Sequence, residues 1–329
     1  MKAPSFWHRP SGLAHLLAPF GAVYAAGGRL RRRATRPARV LIPIVCVGNL
    51  VAGGAGKTPV ARALQAWFAE HGRQVHFLTR GYGGRTAGPL LVEPKRHGAA
   101  DVGDEPLLLA ESAPTWVARD RAGGAEAAAM AGADVVVMDD GFQNPTLYKD
   151  LSLVVIDGEY GFGNGLVIPA GPLREPVADG LKRADAVVLV GPDGAGVEAG
   201  LPSDLAVLHA ELRPVEDDHP LTRHAVVAFA GIGRPEKFFS MLRTMGCRII
   251  STHAYPDHYP YRENEIGRII EEARHANAVP VTTAKDAARL PSGFGSAIEV
   301  LDVRLEWRDE AALERVLAPV MRQRVGLDG

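Results

Sequence analysis

Lys57 and Thr58 close the run Gly53-Gly54-Ala55-Gly56-Lys57-Thr58, whose residue types and spacing point most directly to chemistry. Successive glycines let backbone N–H groups turn inward toward phosphate oxygens. A helix starting at such a turn adds the partial positive charge of its N-terminus. A lysine at this place reaches the β- and γ-phosphates, and the hydroxyl after it is set for Mg²⁺. The strict pattern has glycine five positions before Gly56, where this chain has Val51. Val51-Ala52-Gly53-Gly54-Ala55-Gly56-Lys57-Thr58 is therefore read as a deviant phosphate loop, with an ordinary Gly-rich strand–helix turn as the alternative.

Acids suited to metal and proton work recur downstream. The apolar run 134–138 ends in Asp139 and Asp140, the form of a Walker B element. One carboxylate of such a pair holds Mg²⁺, directly or through water; a solvated strand end is the plainer reading. Gln143, just beyond, can reach substrate or phosphate. Asp104 and Glu105 precede an amphipathic segment, where Asp104 is either an N-cap or the base that takes a hydroxyl proton in phosphoryl transfer to an alcohol. Asp257 and His258 lie in a Pro-flanked aromatic loop, Tyr255-Pro-Asp-His-Tyr-Pro-Tyr261. His258 is structural or, facing the cleft, a partner for Asp104. Arg80, Gly81 and Tyr82 follow a strand-like run, and Arg121 is a second cation at a strand end. The Gly/Pro-rich loops 161–165 and 169–175 serve as turns or as binding loops at the phosphate edge.

Short apolar runs at 40–47, 74–79, 115–118, 134–138, 151–156, 186–190 and 205–212 predict strands covered on both faces. Helix-like segments at 59–71 and 120–132 fall between some of them, which gives a doubly wound sheet with ligands at the carboxyl ends of its strands. The polar stretch 213–223 marks a boundary. A second set follows, with strands at 225–230, 247–253, 279–283 and 298–305 and helices at 234–245 and 262–277. The expected class is α/β: a P-loop, doubly wound, mostly parallel sheet domain over 29–213 and a smaller α/β domain over 214–329. An N-terminal membrane-associating helix over 1–28 precedes them.

Residues 12–28 are mostly apolar and are followed by Arg29, Arg31, Arg32, Arg33, Arg36 and Arg39. As a helix this segment would span about 25 Å, short of the ~30 Å hydrocarbon core, and His15 and Pro19 disfavour spanning. Charge after the apolar run is unlike a cleavable export signal, and it keeps the body on the cytoplasmic side. An interfacial helix is expected, each Arg contributing about 1 kcal/mol near an anionic leaflet; a helix packed on the protein's own core is the alternative. The 329 residues, 47% hydrophobic with net charge −1, lack the basic excess of a nucleic-acid binder. Cys46 and Cys247 are expected as buried thiols in a reducing compartment. No Cys/His cluster has zinc-ligand spacing, and no protein partner is evident.

In order, the segments 47–58, 79–84, 103–110, 139–143, 162–165 with 169–175, Asp257-His258 and Thr283-Ala-Lys-Asp286 closely resemble the tetraacyldisaccharide 4′-kinases, the lipid A 4′-kinases of Gram-negative bacteria. The resemblance runs nearly end to end. It implies an alcohol-directed phosphotransferase with ATP and Mg²⁺ as cofactors. Its acceptor would be the 4′-hydroxyl of a tetraacylated glucosamine disaccharide 1-phosphate, and its product lipid IVA of lipid A biosynthesis. It implies a peripheral or monotopic enzyme at the cytoplasmic face of the inner membrane, with that lipid and the anionic membrane surface as partners. By resemblance Asp104 is the base, assisted by His258, and Lys57 and Thr58 bind the phosphates and Mg²⁺. Glu105, Asp139 and Asp140 form the acidic, metal-binding cluster, and Arg80, Gly81, Tyr82, Arg121, Gln143 and Glu175 surround substrate or nucleotide. Ala284, where an acid is expected, and Asn144, where some relatives carry His, depart from the pattern.

Two other classes use such loops. A guanine-reading switch needs Asn-Lys-x-Asp, whereas here Asp286 directly follows Lys285. A partitioning-type ATPase carries a lysine ahead of the glycines, where this chain has Ala52. ATP turnover that requires an acylated sugar acceptor separates a kinase from both.

Overall fold

The structure, a computed structural model, describes residues 4–9, 11–216 and 219–323; the outer ends of the expected first and last segments, and part of the 213–223 boundary, lie outside these residues. The strands are β1 (Ile44–Gly48), β2 (Val75–Thr79), β3 (Leu90–Leu91), β4 (Thr115–Val117), β5 (Val135–Asp139), β6 (Leu151–Asp157), β7 (Ala186–Val190), β8 (Ala206–Pro214), β9 (Ala225–Ala230), β10 (Arg248–Ala254), β11 (Val279–Thr283), β12 (Glu299–Leu301) and β13 (Val303–Trp307). The helices are α1 (Gly12–Ala34), α2 (Lys57–Glu70), α3 (Ala99–Val102), α4 (Asp104–Ala110), α5 (Arg121–Met130), α6 (Val177–Leu181), α7 (Pro235–Thr244), α8 (Glu263–His275), α9 (Ala284–Ala287) and α10 (Glu310–Arg322).

Apolar runs become strands of a nine-stranded sheet ordered β13-β8-β7-β6-β1-β5-β2-β4-β3, parallel except at its two edges. Both faces are covered, as such runs require. One face packs on Val60, Ala61, Leu64, Trp67 and Phe68 of α2, the other on Ala125 and Ala128 of α5 and Leu181 of α6. The smaller parallel sheet, β10-β9-β11-β12, lies between Phe238, Phe239 and Leu242 of α7 and Ile266, Ile269 and Ala273 of α8.

Two expected boundaries move. The single strand at 298–305 is two: β12 stays in the small sheet, while β13 pairs antiparallel with β8 and carries α10 back to the large unit. There Leu313, Leu317 and Val320 are buried in the α2 core, so 303–323 belong to the first unit and not to the second. At the other end α1 runs past position 28 to Ala34. Its Ala14, Gly21 and Ala25 are buried, while Leu13, Leu16, Phe20, Val23, Tyr24 and Leu30 on the opposite face are exposed.

Candidate active site

The phosphate loop leaves β1, the strand at which the chain switches direction across the sheet. Val47 of β1 lies beside Asp139 of β5, so the loop and the paired acids emerge together. Gly53 and Gly56 take φ of 109° and 86°, which side-chain-bearing residues rarely adopt. Helix α2 begins at Lys57, earlier than the expected 59, and puts Lys57 and Thr58 in its first turn. Lys57 Nζ lies 3.4 Å from Asn49 Oδ1 and 3.6 Å from an Asp140 oxygen. Thr58 Oγ1 donates to Asp139 Oδ2 at 3.0 Å. Sequence reasoning missed Asn49. It is fully buried and donates to Val51 O at 2.7 Å, holding the loop and the lysine together. A polar residue wedged between an apolar strand and a glycine run was the available signal.

Burial drives the Asp139 carboxyl up to about 7, with Glu105 adding to the rise and Lys57 opposing it. Its Oδ1 is buried without a hydrogen-bond partner. A divalent cation would stabilise that charge and satisfy that oxygen. Thr58 and Asp139 therefore suit Mg²⁺, whose remaining ligands are commonly water and substrate phosphate. The other two expected ligands turn elsewhere. Asp140, at φ 53°, forks onto Arg174 at 2.7 and 3.3 Å. Burial opposes its ionisation, yet Lys57 and Arg174 hold it down at about 2. Glu105 meets Lys285 at 3.0 Å. Among the described residues no group of three or more His, Cys, Asp or Glu is set to hold a metal.

Asp104 and His258, 154 positions apart, meet across the two units: His258 Nδ1 lies 2.9 and 3.2 Å from the Asp104 oxygens. Asp104 is not an N-cap. Gly103 occupies that place, and Asp104 opens α4 with its Oδ1 accepting from the Glu105 N–H at 3.0 Å. Burial pushes the carboxyl up, but His258, Lys285 and Arg289 outweigh it and hold Asp104 below its ordinary value. Tyr82, on the loop after β2, stands with its ring centroid 5.4 Å from that of His258. Lys285 and Arg289, which sequence reasoning left unassigned, flank the pair; the Thr283-Ala-Lys-Asp286 run contained the first, and nothing singled out Arg289.

Arg121 is buried with Nε unpartnered, and burial next to Arg80 lowers it to about 10. Arg80 is exposed at the same edge. Gln143 and Glu175 sit behind the phosphate loop instead of facing the cleft. Gln143 Nε2 donates to Asn49 O at 2.9 Å and to Glu175 at 3.2 Å, and Glu175 also takes Arg183 at 2.6 Å and Arg32 of α1 at 3.3 Å. The 169–175 loop backs the phosphate loop, with Ala52 N donating to Pro172 O at 2.8 Å and Arg174 N to Leu50 O at 2.7 Å. The 161–165 loop instead holds the N-terminal residues, Asn164 Nδ2 donating to Phe6 O at 2.9 Å.

The protein thus carries a phosphate loop, a Thr–Asp pair suited to a cation and an acid–imidazole pair, the last adjoining Glu105, whose charge acts on Asp139. Over residues 13–322 the sequence matches the family described as tetraacyldisaccharide-1-P 4′-kinase, LpxK. The chain belongs to the tetraacyldisaccharide 4′-kinase family. Relatives of that name from Rhodospirillum rubrum and Rhodospirillum centenum are 53% and 51% identical, over 96% and 98% of this chain and 97% of each relative. The crystal structure of LpxK from Aquifex aeolicus in complex with ATP superposes with a TM-score of 0.74 at 24% identity, over 94% of this chain and 99% of that one, and shares the fold. This 4′-kinase is an ATP-dependent enzyme acting on a lipid A precursor. Neither departure from the family pattern enters the reaction centre: Asn144 accepts from Thr146 N at 2.9 Å, and Ala284 opens α9 beside Lys285.

Proposed function

We propose that the enzyme moves the γ-phosphoryl group of ATP onto the 4′-hydroxyl of a tetraacylated disaccharide 1-phosphate, with Asp104 as proton acceptor. The contact between Asp104 and His258 across the units carries this reading. As the hydroxyl oxygen bonds to the γ-phosphorus, the bond from that phosphorus to the β,γ-bridging oxygen breaks and ADP leaves, while the O–H breaks and its proton passes to the Asp104 carboxylate. His258 Nδ1 orients that carboxylate, and the nearby cations keep it ionised. Lys57 and the loop N–H groups hold the phosphates in line, so the protein's work is positioning and charge neutralisation. Mg²⁺, held by Thr58 and Asp139, supplies further neutralisation on the phosphates when bound. Arg80 and Arg121 supply cations for the acceptor's phosphate. Gln143 and Glu175 act through the phosphate loop they brace.

Membrane docking follows from the acceptor's nature, since drawing acyl chains into water costs ~25 cal/mol per Å² of apolar surface. No described helix is long and apolar enough to cross a membrane. The exposed apolar face of α1 instead suits the interface, with the arginines at its end toward an anionic cytoplasmic leaflet. A cavity of about 360 Å³ between α1 and residues 165–177 adjoins a mainly cationic recess of about 270 Å³ lined by Arg29, Arg32, Arg33, Lys182 and Arg183 together with Asp179, which pairs with Arg29. This apolar and cationic pairing supports an amphiphilic anionic ligand. The test is ATP turnover in mixed micelles with and without the acylated disaccharide 1-phosphate. The reading expects turnover to need the acceptor; equal turnover without it overturns the reading.

A further inference from the structure

We infer that Lys285 is a positioning residue, which fixes His258 in the tautomer that carries its proton on Nδ1, toward Asp104. A lysine ammonium only donates hydrogen bonds, and Lys285 Nζ lies 3.5 Å from His258 Nε2. Nε2 therefore presents its lone pair, and Nδ1 carries the hydrogen that points at the Asp104 oxygens 2.9 and 3.2 Å away. The other tautomer would set an N–H against the ammonium and a lone pair against the carboxylate, two repulsions in place of two attractions.

Asp257 makes the choice matter. Its buried Oδ1 has no hydrogen-bond partner and lies 3.8 Å from both His258 Nε2 and Lys285 Nζ. Without the ammonium, that carboxylate draws a proton onto Nε2. Lys285 is held in place from both sides. Glu105 takes it at 3.0 Å, and the turn that bears it is fastened by the fully buried Asp286. Asp286 accepts from Gly231 N at 2.9 Å, Tyr261 Oη at 2.7 Å, Thr283 Oγ1 at 2.6 Å and Arg289 Nη2 at 2.6 Å. Gly231 O in turn receives the His258 N–H at 3.1 Å and Arg289 Nη2 at 3.0 Å. The backbone of His258 is thus tied through Gly231 to Asp286, and its Nε2 faces Lys285 of the same turn. Burial works against the charge on Lys285, yet Glu105, Asp104 and Asp257 keep it charged above the ordinary lysine range.

The inference rests on the Asp104 reading only for its kinetic consequence. Nitrogen NMR of the full-length enzyme tests it, with His258→Gln identifying the ring signals. The wild type is expected to show Nδ1 protonated and Nε2 bare, and Lys285→Arg to preserve this. Lys285→Met is expected to place a proton on Nε2 and to lower kcat at least about tenfold, with KM for ATP within about twofold. A wild-type ring protonated on Nε2 overturns the inference even if Lys285→Met fails to fold, and so does a Lys285→Met ring unchanged from wild type. Near-normal turnover by Asp104→Asn would instead remove the base while leaving the ring assignment standing.

Discussion

A carboxylate that takes a proton must be ionised beforehand, and Asp104 stays ionised although buried because His258, Lys285 and Arg289 face it. Its folded value is depressed, so its stabilising contribution is complete above the unfolded value and disappears as pH falls through the folded one. Activity shares that limit: the acid limb of kcat should lie below the usual carboxylate range. Removing the His258 donor raises the Asp104 value, so His258→Leu, which has no donor, should shift this limb to higher pH in a kcat–pH profile. An unmoved limb would separate His258 from the base. At this scale residue types alone showed few of the meetings. Lys57, Thr58 and Asp139 lie together where loop and strand-end patterns put them, whereas residue types alone left Asp104 open between cap and base, and the family resemblance paired it with His258. Its partner is 154 positions away, and only the folded sheets bring the two together.

The elements bearing these residues were mostly legible, since strands buried on both faces are continuous apolar runs. The strand at 298–305 was misread because Asp302, which takes Arg62 of α2 at 3.1 and 3.2 Å, interrupts a run whose halves join different sheets. The α1 helix was expected, and it packs its small residues on the body while large apolar ones face outward. Replacing Leu16 and Phe20 by Asp should therefore sharply lower co-sedimentation with anionic vesicles while ATP binding persists. Retained sedimentation would assign docking to another surface. Gly21 packs so closely that a Cβ there would lie 2.7 Å from Val167 O. Gly21→Val should cost about 1–3 kcal/mol by overpacking, read from thermal or denaturant unfolding; an unchanged midpoint would mean that α1 lifts off freely.

In the whole molecule, the chain crosses from the large sheet to the small one and returns through β13 and α10. That return was invisible to composition, because the last helix looks like any amphipathic helix, and it packs on the large sheet at β8. Leu317 is fully buried there, so Leu317→Ala should destabilise the enzyme by about 2–5 kcal/mol, measured by denaturant unfolding. A loss below 1 kcal/mol, on the order of a surface change, would contradict this packing. The small unit also grips the phosphate loop: Arg234 donates to Gly54 O at 2.6 Å and pairs with Asp157 at 2.5 Å. The proposed reaction centre thus draws on both units, with Asp104 on one and His258 on the other. A double-mutant cycle on kcat with the acylated acceptor tests this directly, using Asp104→Asn, His258→Gln and the pair. Two residues acting as one device predict that Asp104→Asn lowers kcat by about 10²–10⁴ and that the double variant is scarcely slower. Losses that multiply independently, or an Asp104→Asn enzyme near wild type, would contradict it.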